Sequence, residues 1–484
     1  MRTTFLAVLL VFITTTRGVA GEAPFAKKPL LQDPEVAAAF QVLDSWIKAT
    51  VANREQPGLS IGVVYDQELI WAKGYGFANL EKKIPATPTT VYRIASISKL
   101  FTSTAILQLR DAGKLQLDDP VVKHLPWFKI KYAQPDGPTI TIRHLLTHTS
   151  GLPREAVGVD WNDLKFPQRD QMMTHMAEQE TVYAGETQWK YSNLALSLAG
   201  EIVTTVSGEP WAQYVETHIL QPLGMQSTRT LPLADTPNLT TGYGRRVPGR
   251  PREVEPFVDI AAERPAGNLA SNVEDLAKFV SLQLRDKPAG GSQVLKGSTL
   301  KEMHRVHWLW PDWKGGWGLG FRVRRVGDQN HIGHGGSLPG NRTDIDIIPA
   351  KKLGVIVLTN ANDGDPLKYT DQAFHLLEPA ITKATAPTSD KKPDPSWEKY
   401  VGTYTWKDSD IQILILNGEL TMIVPESDGL WESRIMLKPL GERSFRMTPV
   451  GSTYAAIGEV LTFEIDKDGI ARKARTPNSY WVRK

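Results

Sequence analysis

The prediction of the fold class begins with the segment TDIDIIPAKKLGVIVLTN, residues 343–360. Acidic and apolar side chains alternate over residues 344–348, and an unbroken apolar run covers residues 353–358. The segment PAKK between them predicts a tight turn, so the two halves are predicted to be paired β-strands. A second strand pair is predicted far upstream, in LSIGVVYDQELIWAKGYG at residues 59–76.

Helical patterns surround these two strand pairs. One precedes the first pair at residues 34–51, others fill the long interval, and another follows the second pair to about Ile381. This order favours the α+β class. We expect an antiparallel sheet, whose edge strands come from distant segments of the chain, covered by packed helices.

The last part of the chain has a different character. Residues 384–396, ATAPTSDKKPDPS, have the composition of a linker, with prolines, small polar residues and no apolar cluster. Beyond them about eight short strands are expected, with hairpin turns at Asn417-Gly418 and Asp468-Gly469. A small antiparallel barrel or sandwich would accommodate them, and closure into a barrel leaves no exposed edge. We therefore predict a barrel domain over residues 397–484.

The N-terminal residues predict export. A basic start, an apolar run over residues 5–13 and the small residues Gly18-Val19-Ala20 are typical of a cleavable signal peptide, assigned to residues 1–20. The alternative is a membrane anchor, but the apolar run is much shorter than the roughly 20 residues that a span needs. The mature protein, with its main domain at residues 34–383, is therefore expected in the periplasm or outside the cell, with no stable membrane span.

Composition argues against several classes of function. The chain of 484 residues has a net charge of +3 without basic blocks, so nucleic acid is not an expected partner. It has no cysteine, which excludes disulfides, thiol nucleophiles and zinc–thiolate sites. No His-Glu-x-x-His motif, Walker motif or dinucleotide fingerprint is present, so we expect neither a metal nor a cofactor. The absence of Gly-x-Ser-x-Gly argues against an α/β-hydrolase.

A serine and a lysine lie one helical turn apart in RIASISKLFTSTAILQL, residues 93–109. If Ser96 stands in the first turn of a helix that ends near Leu109, Lys99 follows on the same face. The positive end of a helix favours an oxyanion near Ser96, and an apolar setting lowers the pKa of a lysine. The pattern therefore predicts a nucleophilic serine with a lysine as its general base.

Ser-x-x-Lys is a short pattern, and it also occurs at Ser45–Lys48, Ser298–Lys301 and Ser396–Lys399. Lys99 differs from the lysines of these three pairs because uncharged helix flanks it on both sides. The alternative for Lys99 is a side chain that extends from a partly exposed helix into solvent.

A second candidate segment is KYSNLALSLAGEIV, residues 190–203, in which Tyr191 and Asn193 precede an apolar helix. A tyrosine near a lysine can relay a proton through a phenol of lowered pKa, and an asparagine amide can bind a substrate carbonyl. The alternative is that these two residues only cap the helix.

The third segment is HIGHGGSLPGN, residues 331–341. Adjacent glycines before a strand pair allow another group to approach the backbone closely. The N–H groups of Ser337 and Ser96 are then candidate donors to a substrate oxyanion. The alternative is a glycine-rich turn without a role.

Taken together and in this order, the three segments resemble the active site of the serine β-lactamase and penicillin-binding-protein superfamily. The class C β-lactamase, D-alanyl-D-alanine peptidase and esterase branch is the most similar. The resemblance covers about residues 40–381 and includes HLLTHTSGLP (144–153), PAGNLASNVEDLAKF (265–279) and GWGLGF (316–321). It implies a β-lactamase-like α/β sandwich, in which helices flank an antiparallel sheet, plus an all-helical region. The barrel resembles the lipocalin-like tail of some peptidases of this superfamily.

The resemblance also implies a role for each site residue. The implied roles are acylated nucleophile for Ser96, base partner for Lys99, proton relay for Tyr191, contact with the substrate amide for Asn193, and wall strand of the cleft for His334, Gly335 and Gly336.

One position departs from the pattern of the superfamily. Many members have Lys-Thr-Gly on the wall strand, where this chain has His334, which is mostly neutral at pH 7. His331-Ile332-Gly333 and Lys314-Gly315-Gly316 are local alternatives, but the glycines after His334 directly precede Ser337. The departure is more similar to esterase and peptidase members than to dedicated β-lactamases. Arg342 is a candidate replacement as anchor for a substrate carboxylate.

The sequence therefore predicts an exported serine hydrolase that acts through an acyl-enzyme on amide, ester or β-lactam carbonyls. Its substrate is expected to be a small molecule or a peptide, with cell-wall peptides among the candidates. The alternative is a penicillin-binding-like sensor or cell-wall peptide-binding protein that does not turn over. The tryptophans of residues 307–317 are interpreted as packing residues rather than a cleft wall, and the barrel as a scaffold or lid.

Overall fold

A computed structural model describes residues 30–285, 293–386, 394–407, 409–416, 418–425, 434–449 and 458–484. The chain divides into two compact units, with the boundary between Ala384 and Thr385. The predicted signal peptide, Asn417 of the first predicted barrel hairpin and residues 387–393 of the predicted linker lie outside the described residues. Within the described residues, no helix combines the length and the apolar character needed to cross a membrane.

The first unit contains a sheet, a two-stranded ribbon and the helices that cover them. Its strands are β1 Gly58–Tyr65, β2 Glu68–Asn79, β3 Ile84–Pro85, β4 Tyr92–Arg93, β5 Ala270–Ser271, β6 Trp308–Leu309, β7 Gly315–Trp317, β8 Arg322–Val326, β9 Gln329–Leu338, β10 Asn341–Ile348 and β11 Leu353–Thr359. Its helices are α1 Pro34–Asn53, α2 Ser98–Asp111, α3 Val121–His124, α4 Ile142–Thr147, α5 Arg169–His175, α6 Asn193–Ser207, α7 Trp211–Val215, α8 Gln221–Leu223, α9 Arg264–Gly267, α10 Val273–Gln283, α11 Gly297–His304 and α12 Pro366–Thr385.

Nine strands of the described residues form one antiparallel sheet, in the order β3-β2-β1-β11-β10-β9-β8-β7-β6. The first and last strands of the unit, β1 and β11, pair in its interior, with Leu59 opposite Thr359. We expected the edge strands to come from distant segments of the chain, and they do: one edge is β3, Ile84–Pro85, and the other is β6, Trp308–Leu309. The interior strands β1 and β11 are apolar along nearly their whole length, so their side chains are stabilised most where helices cover both faces of the sheet.

The sheet separates two apolar cores. Val355 and Val357 of β11 face α1 and α12, whereas Ile356 and Leu358 face the layer that contains α2, α6 and α10. This alternation along one strand is the pleat of a sheet buried on both sides. The predicted α+β class, with helices on both faces and a further helical region, is therefore confirmed.

Helix α2 lies inside the second core and is buried around nearly its whole circumference. Its buried positions include uncharged polar residues such as Ser98 and Thr102 beside the apolar ones, and Lys99 is the one charged residue among them. The uncharged sequence around Lys99 therefore carries this lysine into the core.

The second unit is a closed antiparallel barrel. Its strands are β12 Gly402–Trp406, β13 Ser409–Leu416, β14 Glu419–Ile423, β15 Ile435–Pro439, β16 Ser444–Pro449, β17 Val460–Ile465, β18 Ala471–Arg475 and β19 Tyr480–Arg483. Buried rings of Tyr400, Tyr404, Phe445 and Phe463 fill its interior. The barrel predicted from the short strands is confirmed, and its centre is a packed core.

Candidate active site

The chain reaches Ser96 through a strained turn. A 3-10 turn at Ala95–Ile97 precedes α2, so the α-helix itself begins two residues later than the sequence predicted. Ala95 has a φ of +49°, a left-handed conformation that residues other than glycine rarely adopt. Such strain is concentrated at functional sites. It places Ser96 at the entrance of the helix, on the wall of a cavity of about 480 Å³.

Lys99 is fully buried beneath this wall, which rules out the solvent-exposed alternative. Its Nζ donates to Ala266 O at 2.6 Å, to Asn193 Oδ1 at 2.7 Å and to Ser96 Oγ at 3.2 Å. Desolvation lowers the pKa of Lys99 to about 7, although the carboxyl of Glu263, when ionised, and that of Glu155 oppose this effect.

The three partners of Lys99 fix the direction of its lone pair. A neutral amine has two N–H bonds, and the Ala266 carbonyl and the Asn193 amide oxygen each accept one. The remaining tetrahedral position then faces Ser96 Oγ. Once deprotonated, Lys99 can accept a hydrogen bond from the Ser96 hydroxyl, which is the geometry a general base requires.

Tyr191 and Asn193 reach the cavity because α6 begins beside them. Ser192 caps this helix: its Oγ accepts from Ala195 N at 3.0 Å and donates to Pro153 O at 2.6 Å. Tyr191 and Asn193 line the cavity instead of serving only as caps.

The phenol of Tyr191 lies beside Ser96 in the cavity wall, and Lys99 Nζ lies 4.9 Å from the centre of its ring. Burial raises the pKa of Tyr191 far above its usual value, and the interaction with Ser96 offsets only part of this rise. We expected the nearby lysine to lower this pKa, and that expectation is wrong. Desolvation outweighs the lysine, because an amine with a pKa of about 7 is already neutral in the alkaline range where a phenol ordinarily titrates. Tyr191 is therefore a neutral phenol in the free protein.

Strand β9 forms the opposite wall. It extends beyond β8, which pairs only with residues 329–333, so residues 334–338 have a free side that faces the cavity. A Cβ atom on Gly336 would lie 2.3 Å from Ile94 O, so only glycine lets β9 come this close to the turn before α2. Ser337 follows in the same strand and lines the same cavity.

His334 is buried in β9 and neutral. Its Nδ1 donates to Gly335 O at 2.6 Å. Burial, and next the positive charge of Lys99, lower the pKa of His334 to about 3. The residue at the usual lysine position therefore supplies no positive charge to the cavity.

Comparison with known proteins places this site in a family. The sequence model of the Beta-lactamase family matches residues 43–378, about two thirds of the chain. The chain belongs to the Beta-lactamase family. Its fold also agrees with that of the wider serine β-lactamase and penicillin-binding-protein superfamily.

Two curated relatives are similar in sequence. Protein flp of Staphylococcus aureus (strain MW2) is 29% identical over 327 residues, which cover 66% of this chain and 63% of that protein. This Beta-lactamase-family chain thus matches less than two thirds of the length of Protein flp. Beta-lactamase-like protein 2 of Dictyostelium discoideum is 28% identical over 412 residues, which cover 79% of this chain and 74% of the relative.

Two solved structures share the fold. The octameric penicillin-binding protein homologue from Pyrococcus abyssi has a TM-score of 0.62 and 24% identity, and the match covers 92% of this chain and 100% of that one. EstCE1, a hydrolase with promiscuous acyltransferase activity, has a TM-score of 0.61 and 22% identity, with coverage of 72% and 100%.

The structure thus brings most of the sequence-predicted site residues of this Beta-lactamase-family chain to one cavity. Ser96, Tyr191 and Asn193 line it together with the β9 wall strand, and Lys99 lies directly behind Ser96. Arg342 is not among them. It lines a neighbouring pocket, and its Nη1 donates to Leu338 O and Asn341 O.

Several lining residues escaped the sequence analysis. Trp189 and Trp317 line the cavity, and Trp317 also contacts the ring of His334, so it both packs and forms part of the wall. Arg322 and Asp344 lie in the same lining and form a hydrogen-bonded ion pair at 3.1 Å. Trp317 belongs to the tryptophan-rich segment that was interpreted as packing alone, whereas Arg322 and Asp344 carry no local signal.

Proposed function

We propose that this chain is an exported serine hydrolase that forms an acyl-enzyme at Ser96. The observation that carries this proposal is the position of Lys99, 3.2 Å from Ser96 Oγ with its other hydrogens held by Asn193 and Ala266. A buried amine next to a hydroxyl at the start of a helix is the arrangement that activates a serine nucleophile.

In acylation, neutral Lys99 accepts the hydroxyl proton while Ser96 Oγ forms a bond to the substrate carbonyl carbon. The resulting oxyanion lies between the N–H groups of Ser96 and Ser337. The register of the β9–β10 pair supports the N–H group of Ser337 as the second donor. Leu338 and Asn341 close a two-residue turn and form a hydrogen-bonded pair, so the adjacent Ser337 directs its N–H away from β10, towards the free side of β9. Each such donor contributes about 3 kcal/mol to transition-state binding.

Collapse of the tetrahedral intermediate breaks the bond to the leaving group, which needs a proton. Tyr191 is suited to supply it, because its phenol is neutral and lies beside Ser96 in the cavity wall. The Lys99 ammonium then returns a proton to Tyr191. A water molecule attacks the acyl-enzyme while Lys99 accepts its proton. The Lys99 ammonium then returns this proton to Ser96 Oγ as the bond to the acyl group breaks and the acid product leaves.

The cavity supports ester and amide substrates over β-lactams. Neutral His334 offers no fixed positive charge to a substrate carboxylate, and Asp344 offsets the charge of Arg322. Much of the remaining lining is apolar, with Trp161, Trp189 and Trp317 among the wall residues. We propose esterase or peptidase activity on small apolar acyl groups, with D-amino-acid peptides of the cell wall as the peptide candidates.

A labelling experiment tests the proposal. The purified protein is incubated with a fluorophosphonate and with a fluorescent penicillin, and mass spectrometry locates the adduct. We expect modification of Ser96 and none in Ser96→Ala. Failure of every acylating probe would overturn the proposal. A turnover panel of p-nitrophenyl esters, nitrocefin and D-alanyl dipeptides then separates the substrate classes, and stoichiometric acylation without product release would indicate a binding protein.

A further inference from the structure

Two glutamates lie behind the side of the cavity formed by Asn193. The carboxylate of Glu155 accepts from Asn193 Nδ2 at 2.8 and 3.1 Å, from Arg154 Nε at 2.9 Å and from Trp161 Nε1 at 3.1 Å. All these partners are donors, so Glu155 is bound as an anion.

Glu263 is the second glutamate, and it lines the cavity while being only 1% exposed. Its Oε1 accepts from Ala156 N at 2.9 Å, but its Oε2 is buried with no donor to accept from. Glu155 directly precedes Ala156, whose N–H Glu263 accepts, and the carboxyl groups of the two glutamates interact, although the Glu155 carboxylate is also an acceptor. A buried contact between two acceptors is stable only with a proton between them, so Glu263 is the protonated partner and donates to Glu155.

This arrangement decides which way the Asn193 amide points. Because Glu155 accepts from the Nδ2 end, the Oδ1 end faces Lys99 and accepts its N–H. In the flipped amide, Nδ2 would face the amine, and the Lys99 lone pair would turn towards Asn193 instead of Ser96. The hydrogen bonds thus form a chain from Glu263 through Glu155, Asn193 and Lys99 to Ser96.

We propose that Glu155 and Glu263 form a carboxyl–carboxylate pair that holds one proton and positions Asn193, and through it Lys99, for reaction at Ser96. The inference rests on the proposed function for its catalytic consequence, but the shared proton is a property of the pair itself. Neither glutamate transfers a proton to substrate. Both are positioning residues.

The charged groups around the Glu155–Glu263 pair determine how the loss of its proton changes the pKa of Lys99. Lys99 lies on α2, Arg154 precedes Glu155, and Tyr191 stands before α6. A second negative charge at Glu263 would favour the ammonium form of Lys99 and disfavour the phenolate of Tyr191. With one proton on the pair, Lys99 is easier to deprotonate. Activity should therefore fall in alkaline solution when Glu263 ionises.

Two amide variants test the pair. Glu263→Gln retains a donor towards Glu155 and an acceptor for Ala156 N but has no proton to lose, so we expect its pH profile to lack the alkaline decline of the native protein. Glu155→Gln places a donor against Asn193 Nδ2, and we expect kcat to fall about 100-fold through misorientation of Lys99. Glu201→Gln is the matched control, because Glu201 is a buried glutamate of α6 that pairs with Arg169 away from the cavity.

A second readout is independent of turnover. Trp161 donates to Glu155, so its fluorescence, taken as the difference between the native protein and Trp161→Phe, should show an alkaline transition that Glu263→Gln lacks. An unchanged alkaline decline in Glu263→Gln, or native kcat in Glu155→Gln, would overturn the proposal. If Glu155→Gln does not fold, the pH profile of Glu263→Gln and the fluorescence transition still test the proposal. Absence of labelling at Ser96 with a normal fluorescence transition would overturn only the proposed function.

Discussion

Gly336 on the wall strand and Ile94 before the nucleophile approach so closely that no side chain fits between them. A Cβ atom on Gly336 would lie 2.3 Å from the Ile94 carbonyl oxygen and 2.2 Å from Thr343 Oγ1, which donates to that same oxygen. The glycine thus sets the distance between the strand that carries Ser337 and the turn that carries Ser96.

Gly336→Ala should separate these two elements. We expect a loss of about 1–3 kcal/mol in the free energy of unfolding from overpacking, and a decrease of about 100-fold in the acylation rate as the two N–H donors move apart. Thermal unfolding and the rate of probe labelling measure the two effects. Gly335→Ala is the control for stability, because its Cβ would meet its nearest neighbour, Asp344 Oδ1, at an ordinary 3.5 Å. Equal stability of the two variants would contradict the argument.

The acylation rate should depend on the protonation of Lys99. Because burial lowers the pKa of Lys99 to about 7, the active neutral amine predominates above this pH. We expect the rate to rise with pH through a midpoint near 7, to fall about tenfold for each pH unit well below it, and to decline again only in the alkaline range where Glu263 ionises. Stopped-flow labelling with a fluorophosphonate measures this profile. Lys99→Met should show little acylation at any pH, and a flat profile in the native protein would count against Lys99 as the base.

Five residues of the candidate site could be predicted from local sequence alone. Each lies in a short segment whose pattern is unusual within this chain: Ser96, Lys99, Tyr191, Asn193 and His334. Lys99 could be predicted as a site residue because a lysine in an otherwise uncharged helical segment is rarely needed for the fold. The barrel was equally accessible, since closely spaced short strands with tight turns have few other ways to remove their edges.

Other features depend on contacts between distant segments and leave no local mark. Glu155 and Glu263 are two of 53 acidic residues, and only the fold brings them together behind Asn193. The pairing of β1 with β11 could not be predicted either, because alternation of apolar and polar residues predicts a strand but not the strand with which it pairs. The pKa of Tyr191 was predicted in the wrong direction because the sequence shows a nearby lysine but not the depth of burial.

The free energy of unfolding should depend on pH through the ionisation of Glu263, and Glu263→Gln should remove this contribution. Burial raises the pKa of Glu263 to about 9, from 4.5 for an ordinary glutamate. Between these values the folded protein holds a proton that the unfolded chain has lost, so this group makes stability fall as pH rises, from about pH 5 to about pH 9. The midpoint of thermal unfolding of Glu263→Gln, relative to the native protein, should therefore increase steadily over this window.

Lys99 contributes with the opposite sign to the same measurement. Its pKa is lower in the folded protein than in the unfolded chain, so its contribution to stability rises with pH from about 7 to about 10. It is present in both proteins, and the comparison with Glu263→Gln therefore isolates the glutamate. A constant difference between the two unfolding midpoints would show that Glu263 is not protonated in the folded state.

Tyr191→Phe should distinguish substrates by their leaving groups. The neutral phenol is proposed to protonate the leaving group, and its loss should matter most where that group is a poor one. For an alkyl ester or a peptide, we expect kcat to fall by about 100-fold or more, the usual contribution of a general acid. For a p-nitrophenyl ester, which departs as a stable anion, the fall should be much smaller. Steady-state rates of both substrate types with the native protein and with Tyr191→Phe give the ratio directly. Equal losses for good and poor leaving groups would mean that Tyr191 only orients Ser96, because a hydrogen bond to the nucleophile affects every substrate alike.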